Sequence, residues 1–350
     1  MDNIIFSLQR AGGISVFWQQ LISNLLKTSE DIRYIEYESS DCNLFRQRLD
    51  IPESSIIKKK LNSKLIAQFL HPRINIKEKF IFHSSYFRTC SLKNAINVTT
   101  VHDFIYQQSK MTLKQRIRTE LNVQAIKNSD AVVCVSENTK RDLMKYVPDV
   151  DPSRVHIIYN GVSEDFRVID ETPYPDLKGH ILYVGGRQSY KNFPFLIDCI
   201  KDTEFHLLIC GSELSNEETA LLDEHLPGRY KQIIFPDNEE LNKVYNSVYA
   251  LAYPSSYEGF GIPVIEAQRS GCPVIALDAS SIPEIIGDHS LLMESLTKNE
   301  FLSKLDLLRD PKTRSRIISA GLENCKRFSW AKMAQEYINL YNHLLLRNNS

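Results

Sequence analysis

At 350 residues the chain exceeds one ordinary core and fits two domains of roughly 150–200 residues each. Its 43% hydrophobic and 24% charged residues exclude a disordered chain, and no apolar run reaches the roughly 18 residues that a membrane span needs. Net charge is −1 but uneven: residues 1–165 carry 23 Lys+Arg against 18 Asp+Glu and the remainder 19 against 25, which disfavours a chain-wide nucleic-acid binder, although residues 51–118 alone hold 13 basic and 3 acidic residues.

The opening MDNIIFSLQR lacks a basic start, a long apolar stretch and a small-residue cleavage site, so no signal peptide is expected and the chain reads as cytoplasmic. Cysteines at 42, 90, 134, 199, 210, 272 and 325 form no CxxC pair, which argues against a disulfide framework or a zinc site. In chain order, IIFSL reads as a first strand, followed by the turn AGGIS and a helix starting near Ser15 that aligns Phe17, Leu21 and Leu25. RYIEY, KFIFHSS, INVTTVHD, AVVCVS and RVHIIYNG then read as strands alternating with helices. A joint rich in turn formers, VSEDFRVIDETPYPDLKG, follows near 161–178. Beyond it HILYVGG, FHLLICG, QIIFP, ALAYPS and PVIALD read as buried strands, with a helix over 238–248 that sets Leu241, Val244 and Tyr245 on one face. The closing helix, from about 329 to 346, is expected to cross back. This alternation predicts an α/β chain of two doubly wound halves, 1–165 and 166–328, with 329–350 as a terminal helix. In such sheets ligands bind outside the carboxyl ends of the strands, so two facing sheets would share a cleft.

The residues suited to chemistry sit just after strands. In YPSSYEGFGIPVIEAQRSGCPVIALDASSIPEIIG, Gly259 and Gly261 would let backbone N–H groups approach an anion at a helix start, with Pro263 suited to the first turn. Glu258 in the turn and Glu266 in the helix could each accept paired hydrogen bonds from vicinal hydroxyls; the plain alternative is a solvated loop. In YVGGRQSYKN, Arg187 and Lys191 offer a planar fork and a point charge to a departing anion. Asp149 and Asp151 form a DxD triplet, but it stands directly before a proline in the loop YVPDVDPSRV, which is turn chemistry, so no metal site is expected.

The run E-G-F-G-x-P-x-x-E, with PSSYEG before it and SSIPEIIGD after it, resembles the retaining GT-B glycosyltransferases of family 4. AGGIS, VHD, VSENTKRDL, YNGV, YVGGRQSYKN and the terminal FSW helix fall in the order of that family, so the resemblance covers nearly the whole chain. It implies two facing Rossmann-like domains, the first on the acceptor side and the second binding a nucleotide sugar. It implies that Glu258 holds hydroxyls of the transferred sugar, that Glu266 holds the ribose, and that the backbone of Gly259, Phe260 and Gly261 meets the sugar. Gly13 would close over the donor diphosphate, His102 would position the reacting sugar, and His83 would face the acceptor. One departure is visible: the family's usual arginine position falls on Gly186, with Arg187 one residue later.

The resemblance further implies transfer of a hexose, GDP-mannose being the favoured donor, to a glycan or lipid-linked acceptor in surface-polysaccharide synthesis, with no cofactor beyond the substrate. The basic residues Lys58, Lys59, Lys60, Lys64, Lys110, Lys114, Arg116 and Arg118, with the apolar run 65–70, suggest docking to an anionic inner membrane surface. Other readings on the same fold are a nucleotide-sugar 2-epimerase and a non-catalytic partner subunit.

Overall fold

The structure, a computed structural model, describes residues 1–60, 71–72, 74–108 and 111–347. The chain divides into two compact units, Met1–Gly161 with Trp330–Ser350, and Val162–Ser329.

In the first unit the strands are β1 (Tyr34–Tyr37), β2 (Ile56–Lys59), β3 (Phe80–Ser84), β4 (Ala95–Val101), β5 (Ala131–Cys134) and β6 (Val155–Ile157). β1 pairs β2, and β3, β4, β5 and β6 follow one another, all in parallel. Asp2 bridges Ile35 on one side and Ser84 on the other, which joins the two sets into one sheet. The apolar run IIFSL is not the strand expected of it. Only Met1–Asn3 is extended, and Ile5–Leu8 coils into one helical turn. Two anchors force the turn: the buried Asp2 carboxylate is gripped by Arg88 at 2.5 Å, and Ser85 accepts the Ile5 N–H at 3.0 Å. An unbroken apolar run carries no period that separates strand from helix.

The helix Gly13–Leu25 buries Phe17, Leu21 and Leu25 on the expected stripe. The last helix, Trp330–Arg347, is part of this same unit, and Tyr337 packs edge-on against Phe17 at 5.9 Å between ring centres.

In the second unit β7 (His180–Val184), β8 (His206–Gly211), β9 (Tyr230–Ile234), β10 (Ala250–Tyr253), β11 (Val274–Leu277) and β12 (Leu292–Met293) form a parallel sheet in the order β12-β11-β10-β7-β8-β9. Its central strands are apolar on both faces because helices cover both, and Ile181, Leu207, Ile209, Ala252 and Ile275 form the middle of the core. The helix Asn238–Tyr245 buries Leu241, Val244 and Tyr245, as its spacing predicts. The chain leaves the sheet in opposite directions after β7 and after β10, which is where a ligand crevice opens in such a fold. Both units are Rossmann-like, and the fold is of the GT-B class. Among the described residues no helix is long and apolar enough to cross a membrane.

Candidate active site

The loops after β7 and β10 lie side by side at this point of divergence and are tied together by their own polar groups. Asn192 closes the first loop in a left-handed conformation (φ 53, ψ 38), and its amide donates to the Pro254 carbonyl at 2.8 Å and to Ser256 Oγ at 2.7 Å. In return the Ser256 N–H donates to the Tyr190 carbonyl at 2.8 Å. The stitching brings Lys191 Nζ to 2.6 Å from Glu258 Oε1, with both side chains 14% exposed. The ammonium also lies over the rings of Tyr190 and Tyr253, at 5.6 and 5.4 Å from their centres. The Tyr253 hydroxyl is hydrogen-bonded to Glu258, so the carboxylate is oriented from two sides.

The Glu258 turn is held from below by the segment after β11. Ser280 Oγ accepts the Glu258 N–H at 2.8 Å, and Ser281 Oγ donates to the carbonyls of Glu258 and Phe260 at 3.0 and 2.9 Å. Ser280 keeps a left-handed backbone (φ 52) to do this, a strain of order 1 kcal/mol for a non-glycine residue. Gly261 starts the helix Ile262–Arg269 at φ 102, and a Cβ there would meet Ile282 at 2.8 Å, so glycine is required twice over. The Phe260 side chain is buried against Phe328 and anchors the turn; Gly261 is buried beside it and Gly259 is half-buried. Glu266 lies one turn into the helix. Burial pushes its carboxyl up to about 7, and the Tyr245 hydroxyl, donating to Oε2 at 3.3 Å, offsets only part of that rise.

Arg187 does not join this pair. Its guanidinium is bound to Glu218 at 2.7 Å and donates to the carbonyls of Ser212 and Glu213, so its charge is already compensated and fastens the loop after β8. The fork reaches sideways along the sheet, from the loop after β7 to the loop after β8. Asp149 pairs with Lys127 at 3.4 Å, and Asp151 caps the turn Pro152–Arg154 by accepting the Ser153 N–H at 2.9 Å. Among the described residues no three His, Cys, Asp or Glu are placed to share a metal ion.

In the first unit, His102 and Ile14, the neighbour of Gly13, line one cavity of about 410 Å³ at the carboxyl ends of the strands. A Cβ on Gly13 would meet nothing within 4 Å, so its backbone is approachable at the start of the helix Gly13–Leu25. His102 packs edge-on to Phe17 at 4.8 Å, and burial lowers its pKa to about 4, so the ring is neutral near pH 7. His83 must be corrected. It is fully buried, bonded through Nδ1 to the Tyr341 hydroxyl at 2.6 Å and through Nε2 to Thr100 Oγ1 at 3.0 Å, and faces no acceptor. A strand-end position indicates depth along the sheet but not which face a side chain takes.

Residues the sequence reading gave no role are Asn192, Ser256, Tyr253, Ser280 and Ser281. The two serines stand in SSIPEIIG, so the motif was visible while its partner, the Glu258 turn, was not.

A model of "Glycosyl transferases group 1" matches residues 168–324, and one of "Glycosyltransferase Family 4" matches 12–166. The chain is 27% identical over 270 residues to the D-inositol 3-phosphate glycosyltransferase of Corynebacterium glutamicum, covering 70% of this chain and 64% of that one. It is 24% identical over 303 residues to the O-antigen chain mannosyltransferase B of Escherichia coli, covering 78% of each. The solved sucrose-phosphate synthase of Thermosynechococcus elongatus is similar in fold, with a TM-score of 0.76 at 19% identity over 96% of this chain and 94% of that one.

Proposed function

Because this chain belongs to the family 4, group 1 glycosyltransferases, we propose that it moves a hexosyl unit from a nucleoside diphosphate sugar to a glycan or lipid-linked acceptor with retained anomeric configuration. The observation that carries this reading is the Lys191–Glu258 pair at the point where the sheet's connections diverge. An ammonium has three donors, so Lys191 can keep Glu258 on one and give the others to phosphate oxygens. The carboxylate in turn accepts hydroxyl donors of the sugar beside the bond that breaks. In the proposed reaction the anomeric carbon–oxygen bond to the diphosphate breaks while the acceptor oxygen bonds the same carbon on the same face. The acceptor's proton passes to the departing phosphate oxygen, and Lys191 offsets the charge that builds there. Glu266 would hold the ribose, and His102 and the Gly13 backbone would serve the sugar and diphosphate; no divalent cation enters this reading. Arg187 is left out of the chemistry because Glu218 occupies it.

The likeness to an O-antigen chain mannosyltransferase favours GDP-mannose and surface polysaccharide. Assembly of such an acceptor at the cytoplasmic membrane face, with peripheral docking through the basic first unit, belongs to the same proposal. The test is Glu258→Gln, which keeps shape and loses charge: turnover should fall on the order of 10²-fold with folding intact. A folded variant with near-normal turnover sinks the assignment.

A further inference from the structure

The cavity of the first unit is lined by two cations, Lys114 and Arg118, that form no ion pair among the described residues. They lie four residues apart on the helix Leu113–Lys127, which puts them on one face about 5–6 Å apart at Cβ. Arg118 Nη1 donates to the Tyr106 hydroxyl at 3.2 Å, and a further hydrogen bond joins the side chain to the Tyr86 hydroxyl. Two neutral hydroxyls therefore aim the guanidinium without neutralising it. Its Nε is buried and has no hydrogen-bond partner, an arrangement that costs stability unless something supplies an acceptor. The carboxylate that also lines the cavity, Asp103, accepts the Ile105 N–H through Oδ1 at 3.0 Å. The helix start is closed by its own capping box between Thr112 and Gln115, so the side chains, not the helix end, present the charge.

We propose that this cavity is an acceptor pocket selective for a phosphorylated sugar, with Arg118 and Lys114 holding the phosphate. The inference rests on the glycosyltransferase reading and deepens it. At about 410 Å³ the cavity lies within the roughly 300–1,000 Å³ of small-molecule sites. A guanidinium fork matches two phosphate oxygens, and Lys114 at the rim adds a point charge. The adjoining rings of Tyr86 and Phe87, 4.4 Å apart at their centres, and of Tyr106 give the sugar an apolar wall, and the neutral His102 leaves a hydroxyl partner beside it. This reassigns two cations that the sequence groups with a membrane-facing cluster.

The test uses the full chain saturated with whichever nucleoside diphosphate it binds best, so that the donor's phosphate site is filled. Binding of glucose 1-phosphate, of a short-chain polyprenyl diphosphate N-acetylglucosamine and of glucose is measured by calorimetry. At least one phosphorylated probe should bind about tenfold or more tighter than glucose, and Arg118→Gln or Lys114→Gln should remove about that factor. Nucleoside diphosphate affinity, which also reports folding, should stay within about twofold of the parent. Preference for the soluble or for the lipid-linked probe decides the source of the phosphate, and either supports the pocket. Equal binding of glucose and the phosphorylated probes, or an unchanged preference in both variants, overturns it. Intact nucleoside diphosphate binding in that case would leave the transferase reading standing, whereas its absence from the parent chain would sink both.

Discussion

Lys191 stands between two anions, the carboxylate it touches now and the diphosphate it would meet during transfer. Lys191→Ala should weaken nucleoside diphosphate binding far more than monophosphate binding, because the β-phosphate is the group that loses its cation. Calorimetry with both ligands checks this, and equal losses would move Lys191 off the diphosphate. The same change strands a mostly buried carboxylate, so a stability loss on the order of 1–3 kcal/mol should accompany it. Glu266 makes a second prediction at this scale. Its folded pKa, about 7, lies above the ordinary 4.5, so the folded chain holds a proton that the unfolded chain releases. Stability from this group is therefore complete below about 4.5 and is lost as pH rises through about 7. Ribose hydroxyls would donate to the ionised form, so nucleotide affinity should rise over the same interval and level off above it. Glu266→Gln should flatten both profiles; a wild-type affinity that does not vary with pH would separate Glu266 from the ribose.

At the scale of elements, the last helix is fixed to the first unit through a polar seam inside an aromatic cluster. Tyr341, His83, Thr100 and Tyr337 form one hydrogen-bonded chain, and Trp18 stands edge-on to His83 at 4.9 Å. Burial lowers the His83 pKa to about 3, so the ring stays neutral; its stability contribution is present above about 6.5 and is lost as pH falls from there toward about 3. His83→Ala should cost about 2–4 kcal/mol through the cavity and the hydrogen bonds lost by Tyr341 and Thr100, while nucleoside diphosphate affinity is retained in the cold. Unchanged stability with lost acceptor use would restore His83 to the acceptor side. This seam also marks where sequence reading stops. In the second unit β7, β8, β10 and β11 were legible because they are apolar runs with glycine, proline or serine at their ends, whereas the two-residue β12 was not read. β2, Ile56–Lys59, was hidden because an edge strand with two lysines looks like a charged face. Glu258 and Lys191 could be picked from turn chemistry and resemblance, but their contact depends on Asn192 and Ser256, which no local pattern ties together. What the sequence could not show for Arg187 and His83 is the contact each makes, because their partners, Glu218 and Tyr341, lie 31 and 258 residues away.

For the molecule as a whole, the remaining question is what the basic first unit meets. Of the cations grouped there by sequence, Lys114 and Arg118 turn into the cavity, Lys58 is matched by Glu53 at 3.0 Å, and Lys64, Lys110 and the run 65–70 lie outside the described residues. What the fold adds is apolar: on the helix Leu113–Lys127, Leu113 is 75% and Ile117 40% exposed, one turn apart and beside the exposed Arg116. Exposed aliphatic side chains next to a cation suit a lipid interface better than open water. Each basic residue near an anionic surface contributes about 1 kcal/mol, and salt weakens that share while the inserted aliphatic groups resist it. The chain should therefore sediment with anionic vesicles at low salt and scarcely with neutral ones. Exchanging Lys58, Lys59 and Lys60 for glutamate should remove most of the binding. Leu113→Ala with Ile117→Ala should lower what remains at higher salt, and should leave nucleoside diphosphate affinity unchanged. Sedimentation indifferent to lipid charge and salt, or absent from the parent chain, would mean that the acceptor is met in solution and that the exposed aliphatic pair serves another contact.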